Sequence, residues 1–443
     1  MSSYETTNYS FIQSFIMKDS RRSFLQKSSA AALGLMSGLP DNSDKVDIKQ
    51  LKNISDDTDY WNAVRSQFSL KNDQVYFNNG TMGPVPDYTI NRMIDEMRYN
   101  AIHAAETDYK GEGPQLLTGY FPEVELRKKV GGLINAEYEE IVLTQNATYG
   151  MNYVAHGLEL KQGDEILNTD QEHGGGFAAW QLLAKRRGCV YKQAKMPVPA
   201  NDPDEIFDAI FSEVTDKTKV IAIPHIISVF GVVLPVERIC REASRRNIFT
   251  VLDGAQTVGQ IQVDVKKIGC DAYYSSLHKW LLAPGGCGLL YINKDRIPSI
   301  WTTIASYNWD NQDDHGFRLM QSGTGNTALY KGLEAAIDFY NTIGPERWTS
   351  RIKSLGDYLR KNLAELDKVT IYSSVHPELS AGMTTYAYEG LTGPELQKRM
   401  WEKERLQPRS VGKEYLRHCV HIYNSEEEID RAIQVMEEIS VQK

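Results

Sequence analysis

Short segments that are apolar on both faces recur along the chain, and helix-like stretches separate them. Segments of this kind lie at 140–143, 165–167, 220–223, 248–252, 272–274 and 288–292, with helical patterns at 149–158, 177–187, 203–213 and 235–246. Strands that are apolar without alternation need cover on both faces of their sheet, and such sheets are mostly parallel. The pattern therefore predicts an α/β fold in which helices cover a mostly parallel central sheet.

The last part of the chain has a different pattern. Helical stretches near 326–342 and 345–366 precede separate strand segments at 383–388 and 419–422, and a final helix is expected at 425–440. This order is typical of a smaller α+β domain. We therefore divide the chain of 443 residues into a large domain at 76–325 and a small C-terminal domain at 326–443.

The composition excludes several classes of protein. With 41% hydrophobic and 24% charged residues the chain can bury a core, which excludes a disordered or collagen-like protein. A net charge of −9 has the wrong sign for a protein whose main partner is a nucleic acid. The five cysteines form no C-x-x-C pair, so the sequence predicts neither a metal site nor a disulfide framework. These features favour small-molecule chemistry.

The first 75 residues form a separate N-terminal region. An apolar run at 30–36 follows the motif Ser20-Arg21-Arg22-Ser23-Phe24-Leu25, an order that resembles a twin-arginine export signal over residues 1–40. The run is about half as long as the ~20 residues of a membrane span, so no stable membrane anchor is expected. We expect the twin-arginine export machinery as a partner and a periplasmic or secreted location, or a cytoplasmic one if the leader is a disordered basic segment. Residues 41–75 are then a linker and N-terminal segment.

A carboxylate and a lysine that follow neighbouring predicted strands give the strongest chemical signal. One strand ends in the motif Asp253-Gly254-Ala255-Gln256, and the next is followed by Ser276-Leu277-His278-Lys279-Trp280. Because ligands bind at the carboxyl ends of the strands in such sheets, we expect both side chains in one site. An apolar setting lowers the pKa of a lysine and makes its amine nucleophilic. A Schiff-base lysine with a carboxylate partner for a pyridinium nitrogen is the pattern that pyridoxal phosphate needs.

Together with Gly285-Gly286-Cys287-Gly288, these motifs resemble those of class V aminotransferases, which are fold-type I pyridoxal-phosphate-dependent transferases. Within that family the chain is most similar to the isopenicillin N epimerase-like branch, over about residues 76–439. The resemblance implies pyridoxal 5'-phosphate as cofactor and catalytic roles for Lys279, Asp253 and His173. Lys279 would carry the Schiff base, Asp253 would keep the ring nitrogen protonated, and the imidazole of His173 would stack on the ring.

The resemblance also implies further ligands for the cofactor. Gln256 corresponds to a donor to the ring hydroxyl, and the phosphate would be held by Ala147, Thr148, Ser276 and His278. Backbone amides at the start of a helix suit a phosphate dianion. Thr324 corresponds to a residue that reaches the phosphate of a partner subunit. A homodimer with shared active sites is therefore implied.

Three residues are assigned to the substrate by the same resemblance. Arg409 is favoured over Arg417 as the residue that binds the α-carboxylate, a role suited to a bidentate guanidinium. Asn79 belongs to the motif Asn78-Asn79-Gly80, which resembles the N-terminal lip of the family's active site. Ser228 stands where cysteine desulfurases of the family usually have asparagine.

The function implied is chemistry at Cα of an amino acid, as a class V aminotransferase or an epimerase. Transamination is favoured because it needs only Lys279 as a base, whereas epimerisation needs a second acid that the sequence does not single out. A pyridoxal-phosphate-dependent C–S or Cβ lyase and a non-catalytic secreted cofactor-binding protein stay open. Desulfurases of the family carry a nucleophilic cysteine shortly before the carboxylate-binding arginine, but no cysteine lies between Cys287 and Cys419.

Overall fold

The computed structural model of the chain describes residues 47–106 and 118–441, so the predicted export signal at 1–40 lies outside the described residues. The strands are β1 (Val75–Tyr76), β2 (Ile141–Thr144), β3 (Glu165–Thr169), β4 (Val190–Ala194), β5 (Thr218–Pro224), β6 (Phe249–Asp253), β7 (Ala272–Ser276), β8 (Gly288–Ile292), β9 (Val369–Ile371), β10 (Met383–Tyr388), β11 (Leu406–Gln407), β12 (Arg409–Val411) and β13 (Tyr415–Cys419). The α-helices are α1 (Asp57–Arg65), α2 (Asp87–Ile102), α3 (Val124–Gly132), α4 (Ala147–Gly157), α5 (Ala178–Arg187), α6 (Pro203–Phe211), α7 (Val236–Arg245), α8 (Val265–Ile268), α9 (His315–Leu319), α10 (Thr327–Ile343), α11 (Pro345–Ala364), α12 (Gly393–Glu404) and α13 (Glu426–Val441).

Seven strands form the central sheet, in the order β2-β8-β7-β6-β5-β3-β4. The five strands from β7 to β4 run parallel, and β8 is antiparallel to both of its neighbours. The predicted α/β fold with a mostly parallel sheet is therefore confirmed. β8 is reversed because it follows β7 without a crossover helix, and a parallel neighbour would need one.

The central strands are apolar because both of their faces are covered. Every residue of β7 and β8 is buried, whereas only Ala194 is buried in the edge strand β4. A strand that is buried along its whole length has no solvent face and therefore shows no alternation of apolar and polar residues. This is the physical reason for the continuous apolar segments.

The C-terminal part of the chain adds a second, antiparallel sheet of four strands, in the order β12-β13-β10-β9. Helices α11, α12 and α13 pack on it in a hydrophobic cluster of their own, and Phe77 joins that cluster from the N-terminal side. The expected smaller α+β part of the chain is therefore confirmed. Helix α10 packs into the core of the central sheet through Leu333 and Ile337. The boundary between 76–325 and 326–443 stays a prediction.

The described residues also give information on membranes and cysteines. None of the helices within 47–106 and 118–441 combines the length and the apolar composition that crossing a membrane requires. All five cysteines are buried, and none forms a disulfide.

Candidate active site

Loops at one edge of the central sheet enclose a pocket of about 210 Å³. Strands β3, β5, β6 and β7 are parallel and end at this edge, and β2 ends there too because β2 and β7 are both antiparallel to β8. The pocket is lined by Asn146, Ala147, Thr148, Met151, His173, Gly175, Gly176, Pro224, Ile226, Ser228, Asp253, Ala255, Gln256, Tyr274, Ser276, His278 and Lys279. The structure thus brings together every predicted cofactor ligand except Thr324.

Asp253 is the last residue of β6, and its carboxyl group faces the pocket. Its Oδ1 accepts a hydrogen bond of 2.8 Å from the backbone N–H of Ala255. Burial raises the pKa of this carboxyl, while the Ala255 N–H and the charge of Lys279 act in the opposite direction. A Cβ atom built on Gly176 would lie 3.3 Å from Oδ2 of Asp253. Because glycine has no side chain, the turn that contains Gly176 can lie this close to the carboxylate. The site suits a cationic partner for Asp253.

Lys279 lies in the connection between β7 and β8 and lines the same pocket. Burial lowers the pKa of its amine, the carboxylate of Asp253 raises it, and the nearby guanidinium of Arg417 lowers it again. The net effect is a lowered pKa, so more of the amine is neutral and nucleophilic near neutral pH than in an exposed lysine. The pocket therefore presents an activated amine and a buried carboxylate together.

The start of α4 forms an anion-binding end of the pocket. Asn146 caps this helix, and its Oδ1 accepts a hydrogen bond of 3.3 Å from the N–H of Tyr149. The N–H of Ala147 donates to Oγ of Ser276 at 3.0 Å. Nδ1 of His278 is buried and has no hydrogen-bond partner among the described residues. A helix start with hydroxyl and imidazole groups around it suits a phosphate.

His173 lies in the turn that follows β3, at the exposed mouth of the pocket. Its Nδ1 accepts a hydrogen bond of 3.1 Å from the N–H of Gly175, which places the ring proton on Nε2. Partial burial and the charge of Lys279 lower the pKa of the imidazole. The side chain is therefore a neutral ring with a fixed tautomer. Burial also raises the pKa of the neighbouring Glu172 well above its usual range.

Gln256 connects the pocket to the N-terminal segment of the large domain. Its Nε2 donates to the carbonyl of Gly80 at 2.9 Å, and its Oε1 accepts a hydrogen bond of 2.8 Å from Nε1–H of Trp280. One N–H of the amide remains for a ligand in the pocket. This arrangement is compatible with the predicted donation to a ring hydroxyl.

The structure places the two candidate arginines in different surroundings. Arg409 is exposed on β12, whereas its cross-strand partner Arg417 on β13 is only 7% exposed. Neither arginine is among the residues that line the pocket. Nη1 of Arg417 donates to the backbone carbonyl of Ser228, and its Nε is buried without a hydrogen-bond partner among the described residues. The guanidinium lies close enough to Lys279 and His173 to lower both of their pKa values. Arg417 therefore lies close to Lys279 and His173, and which of the two arginines binds the α-carboxylate stays a prediction.

The other predicted substrate residues and Thr324 lie in different places. Ser228 lines the pocket, as expected. The side chain of Asn79 is fully buried outside the pocket lining, where Nδ2 donates to the carbonyl of Lys279 at 3.2 Å and Oδ1 accepts from the Tyr423 hydroxyl at 3.1 Å. The side chain of Asn79 thus contacts the backbone of the lysine, and its predicted contact with a substrate stays a prediction. Thr324 is exposed away from the pocket, and its predicted role toward a partner subunit stays a prediction.

The sequence-based prediction assigns no role to several residues that line the pocket, among them Tyr274 and Asn146. Tyr274 on β7 is the cross-strand neighbour of Asp253 on β6. Pairing the two predicted strands would have placed this tyrosine next to the carboxylate. Asn146 is the cap of α4, and an asparagine just before a predicted helix is the usual sign of such a cap.

The residues present fit the cofactor that the sequence resemblance implies. The unpartnered Nδ1 of His278 and the start of α4 offer donors to a phosphate, while Asp253 offers a carboxylate to a pyridinium nitrogen. Gly176 and Lys279 line the same pocket as this carboxylate. The pocket therefore fits pyridoxal 5'-phosphate, and the attachment of the cofactor to Lys279 stays a prediction.

Comparison with known proteins shows the family and agrees with the cofactor. The family model for class V aminotransferases matches residues 76–432. Isopenicillin N epimerase of Streptomyces clavuligerus is 29% identical over 399 residues, which cover 86% of this chain and 98% of that protein. A probable cysteine desulfurase of Pyrococcus abyssi is 29% identical over 400 residues, covering 85% of this chain and 96% of that protein.

Solved structures give the same fold. A cysteine desulfurase from Thermococcus onnurineus superposes with a TM-score of 0.74 at 26% identity, covering 85% of this chain and 97% of its own. A variant of C-DES with glycine covalently linked to its pyridoxal phosphate cofactor superposes with a TM-score of 0.74 at 25% identity, covering 84% and 98%.

Proposed function

Because the chain belongs to the class V aminotransferase family and its cofactor is pyridoxal 5'-phosphate, we propose that it removes the Cα proton of an α-amino acid and restores it by epimerisation. The observation that carries this proposal is one pocket that holds the Lys279 amine and the Asp253 carboxylate, with the guanidinium of Arg417 beside it. When bound, the cofactor supplies an electron sink for the negative charge that develops at Cα.

Each side chain of the pocket has a distinct task. Asp253 holds a proton at the ring nitrogen, because a buried carboxylate stabilises a cation beside it. Lys279 accepts the Cα proton at Nζ, and its lowered pKa suits a base that works near neutral pH. His173 covers the mouth of the pocket as a neutral ring and limits the access of water.

Arg417 binds the α-carboxylate of the substrate in this proposal. It is a buried cation, and the described residues include no carboxylate that forms an ion pair with it. A buried charge without a partner is costly, and a carboxylate that binds to it removes that cost. The guanidinium can bind both oxygens at once, which also fixes the orientation of Cα.

Epimerisation is supported by the similarity to isopenicillin N epimerases along nearly their whole length. Transamination is the second candidate, because Lys279 is the only lysine among the described residues that line the pocket, and one base is sufficient for that reaction. The reprotonating acid of an epimerase is left unassigned.

A desulfurase reaction through a cysteine persulfide has little support. Residues 288–418 contain no cysteine, and the thiol of Cys419 is fully buried. Its Sγ lies 2.9 Å from the position of a Cβ built on Gly80, so the backbone at Gly80 covers it. A C–S lyase reaction that uses no cysteine nucleophile is an alternative outcome of the experiment below.

The experiment is to incubate the cofactor-loaded protein in deuterium oxide with a panel of L- and D-amino acids, with and without a keto acid. An epimerase inverts the configuration over many turnovers and incorporates deuterium at Cα without any keto acid. A transaminase stops after one half-reaction unless the keto acid is present. Release of sulfide and pyruvate from cysteine, with no inversion of any amino acid, would contradict both assignments.

The proposal includes a homodimer with shared sites. Ile90, Ile94 and Met97 are exposed apolar residues on α2, and an exposed apolar face of this kind is typical of an interface. Thr324 would then reach the partner's phosphate site. Light scattering should give twice the mass of one chain, and a monomer that retains full activity would contradict shared sites.

The proposal also includes export through the twin-arginine machinery, because Arg21 and Arg22 precede an apolar run of suitable length. We expect the variant with Arg21→Lys and Arg22→Lys to lose the periplasmic pool of the protein. Equal distribution of both versions between cytoplasm and periplasm would contradict the export signal.

A further inference from the structure

The reactive lysine lies in a turn that accepts hydrogen bonds from the N-terminal segment of the large domain. We call residues 277–283 the lysine turn. Within it, the carbonyl of His278 accepts a hydrogen bond of 2.9 Å from the N–H of Gly83. The next carbonyl, that of Lys279, accepts a hydrogen bond of 3.2 Å from Nδ2 of Asn79. A Cβ built on Gly83 would lie 2.3 Å from the same Lys279 oxygen, so the two segments are in direct backbone contact.

The C-terminal part of the chain also donates a hydrogen bond to the lysine turn. The carbonyl of Trp280 accepts a hydrogen bond of 3.0 Å from Nε2 of His421, which therefore carries the ring proton. The hydroxyl of Tyr423 donates to Oδ1 of Asn79 at 3.1 Å and fixes the orientation of that amide. The rings of His421 and Tyr423 stack at 5.4 Å with an angle of 14°. Three successive carbonyls thus have donors from outside the turn.

Backbone strain in the turn agrees with this external support. Leu282 has a φ of 60°, which a branched side chain rarely adopts, and it is fully buried. A conformation of this kind persists only where the surrounding structure enforces it. The donors at residues 278–280 supply such enforcement, so the turn is not held by its own sequence alone.

We infer that Asn79, His421 and Tyr423 are positioning residues for the reactive lysine. They fix the backbone from which its amine reaches the pocket, and they do so without lining the pocket themselves. The role of that amine rests on the proposed function. The correct placement of the lysine thus depends on segments that are distant from it in the sequence.

The variant that tests this inference is Tyr423→Phe, which removes one hydroxyl and keeps the ring stack. We expect the backbone amides of the lysine turn to exchange with deuterium about threefold to tenfold faster, the effect of one lost buried hydrogen bond. We also expect kcat to fall by about tenfold while KM stays unchanged. This loss is smaller than the ~100-fold loss of rate that a misplaced catalytic group can cause. The visible absorbance of the lysine-bound cofactor should titrate at a different pH.

The matched control is Tyr388→Phe. The Tyr388 hydroxyl is buried in the C-terminal cluster and donates to the carbonyl of Met436 at 3.0 Å. This control should lose a similar amount of thermal stability but leave the exchange of the lysine turn, kcat and the absorbance titration unchanged. In a double-mutant cycle, Tyr423→Phe should have no further effect once Asn79→Ala is present.

Two outcomes would overturn the inference. One is that the lysine turn exchanges with deuterium at the same rate in Tyr423→Phe as in the Tyr388→Phe control. The other is that the losses of kcat caused by Tyr423→Phe and Asn79→Ala multiply in the double variant. The exchange measurement on the full chain needs no cofactor. A native protein that fails to attach pyridoxal phosphate to the lysine would therefore refute the proposed function, while the exchange rates still decide the inference.

Discussion

Replacement of the buried arginine is the perturbation for which the structure gives the clearest expectation. Arg417 is 7% exposed, its Nη1 is engaged by the carbonyl of Ser228, and its buried Nε has no partner among the described residues. The guanidinium is thereby oriented, with donors left for a carboxylate. Arg417→Lys keeps the positive charge but removes the paired N–H groups that bind two carboxylate oxygens at once.

The expected magnitude follows from the hydrogen bonds that are lost. A hydrogen bond to a charged group contributes about 1.5–3 kcal/mol, and a lysine retains one such bond of the two that an arginine makes. The loss of about 1.5–3 kcal/mol corresponds to a rise of about 10-fold to 150-fold in the dissociation constant of the amino acid. We expect the change in KM or in the spectroscopic dissociation constant, with a smaller change in kcat.

The assay is a titration of the cofactor-loaded protein with the amino acid that gives the largest change in visible absorbance. Arg409→Lys is the matched control, because Arg409 pairs with Arg417 across β12 and β13 but is exposed. The control should bind within about twofold of the native protein, as expected for a surface substitution. A large loss in the Arg409 variant with no loss in the Arg417 variant would refute the reasoning.

Three further perturbations have defined expectations. Asp253→Asn should lower kcat far more than cofactor occupancy, because an amide stabilises a pyridinium proton poorly; an unchanged kcat beside unchanged absorbance would contradict this role. The rate at which the apo-protein attaches pyridoxal phosphate, measured by stopped-flow absorbance, should rise with pH. The midpoint of this rise should lie below the pKa of an exposed lysine, because burial lowers the pKa of Lys279. Arg417→Gln should move the midpoint to higher pH, because the charge of Arg417 also lowers this pKa. His418→Phe should make thermal stability less sensitive to acid. Burial lowers the pKa of His418 from 6.5 to about 3, so between these pH values the unfolded chain binds a proton that the folded chain does not. The native protein therefore loses about 1.4 kcal/mol per pH unit from this histidine as the pH falls, and equal slopes of stability against pH in both proteins would contradict the assignment.

Residues of the central sheet could be predicted from the sequence wherever burial leaves a continuous apolar segment. This holds for β5 and β8, which are buried along most of their length. It fails for β4, because this edge strand has only one buried residue and reads as polar. The segment 419–422 shows the opposite error: it is apolar because it is buried, yet the strand β13 ends at Cys419.

The cofactor side of the site was accessible to sequence reasoning because its residues follow strands whose carboxyl ends share one edge. The choice between Arg409 and Arg417 was not, because β13 is buried on both faces and its sequence gives no alternation that would mark an inward-facing arginine. The contact of Asn79 was also inaccessible, since its partner Tyr423 is 344 positions away in the sequence. Contacts of this range depend on the packing of the whole chain.

Lys279 is the residue that we propose to hold pyridoxal phosphate in this pocket. The most direct measurement is reduction of the cofactor-loaded protein with borohydride, followed by digestion and mass spectrometry of the peptides. We expect one modified lysine, at position 279, with loss of the visible absorbance on reduction. Modification at a different lysine, or a protein that binds the cofactor with no lysine modified, would contradict it.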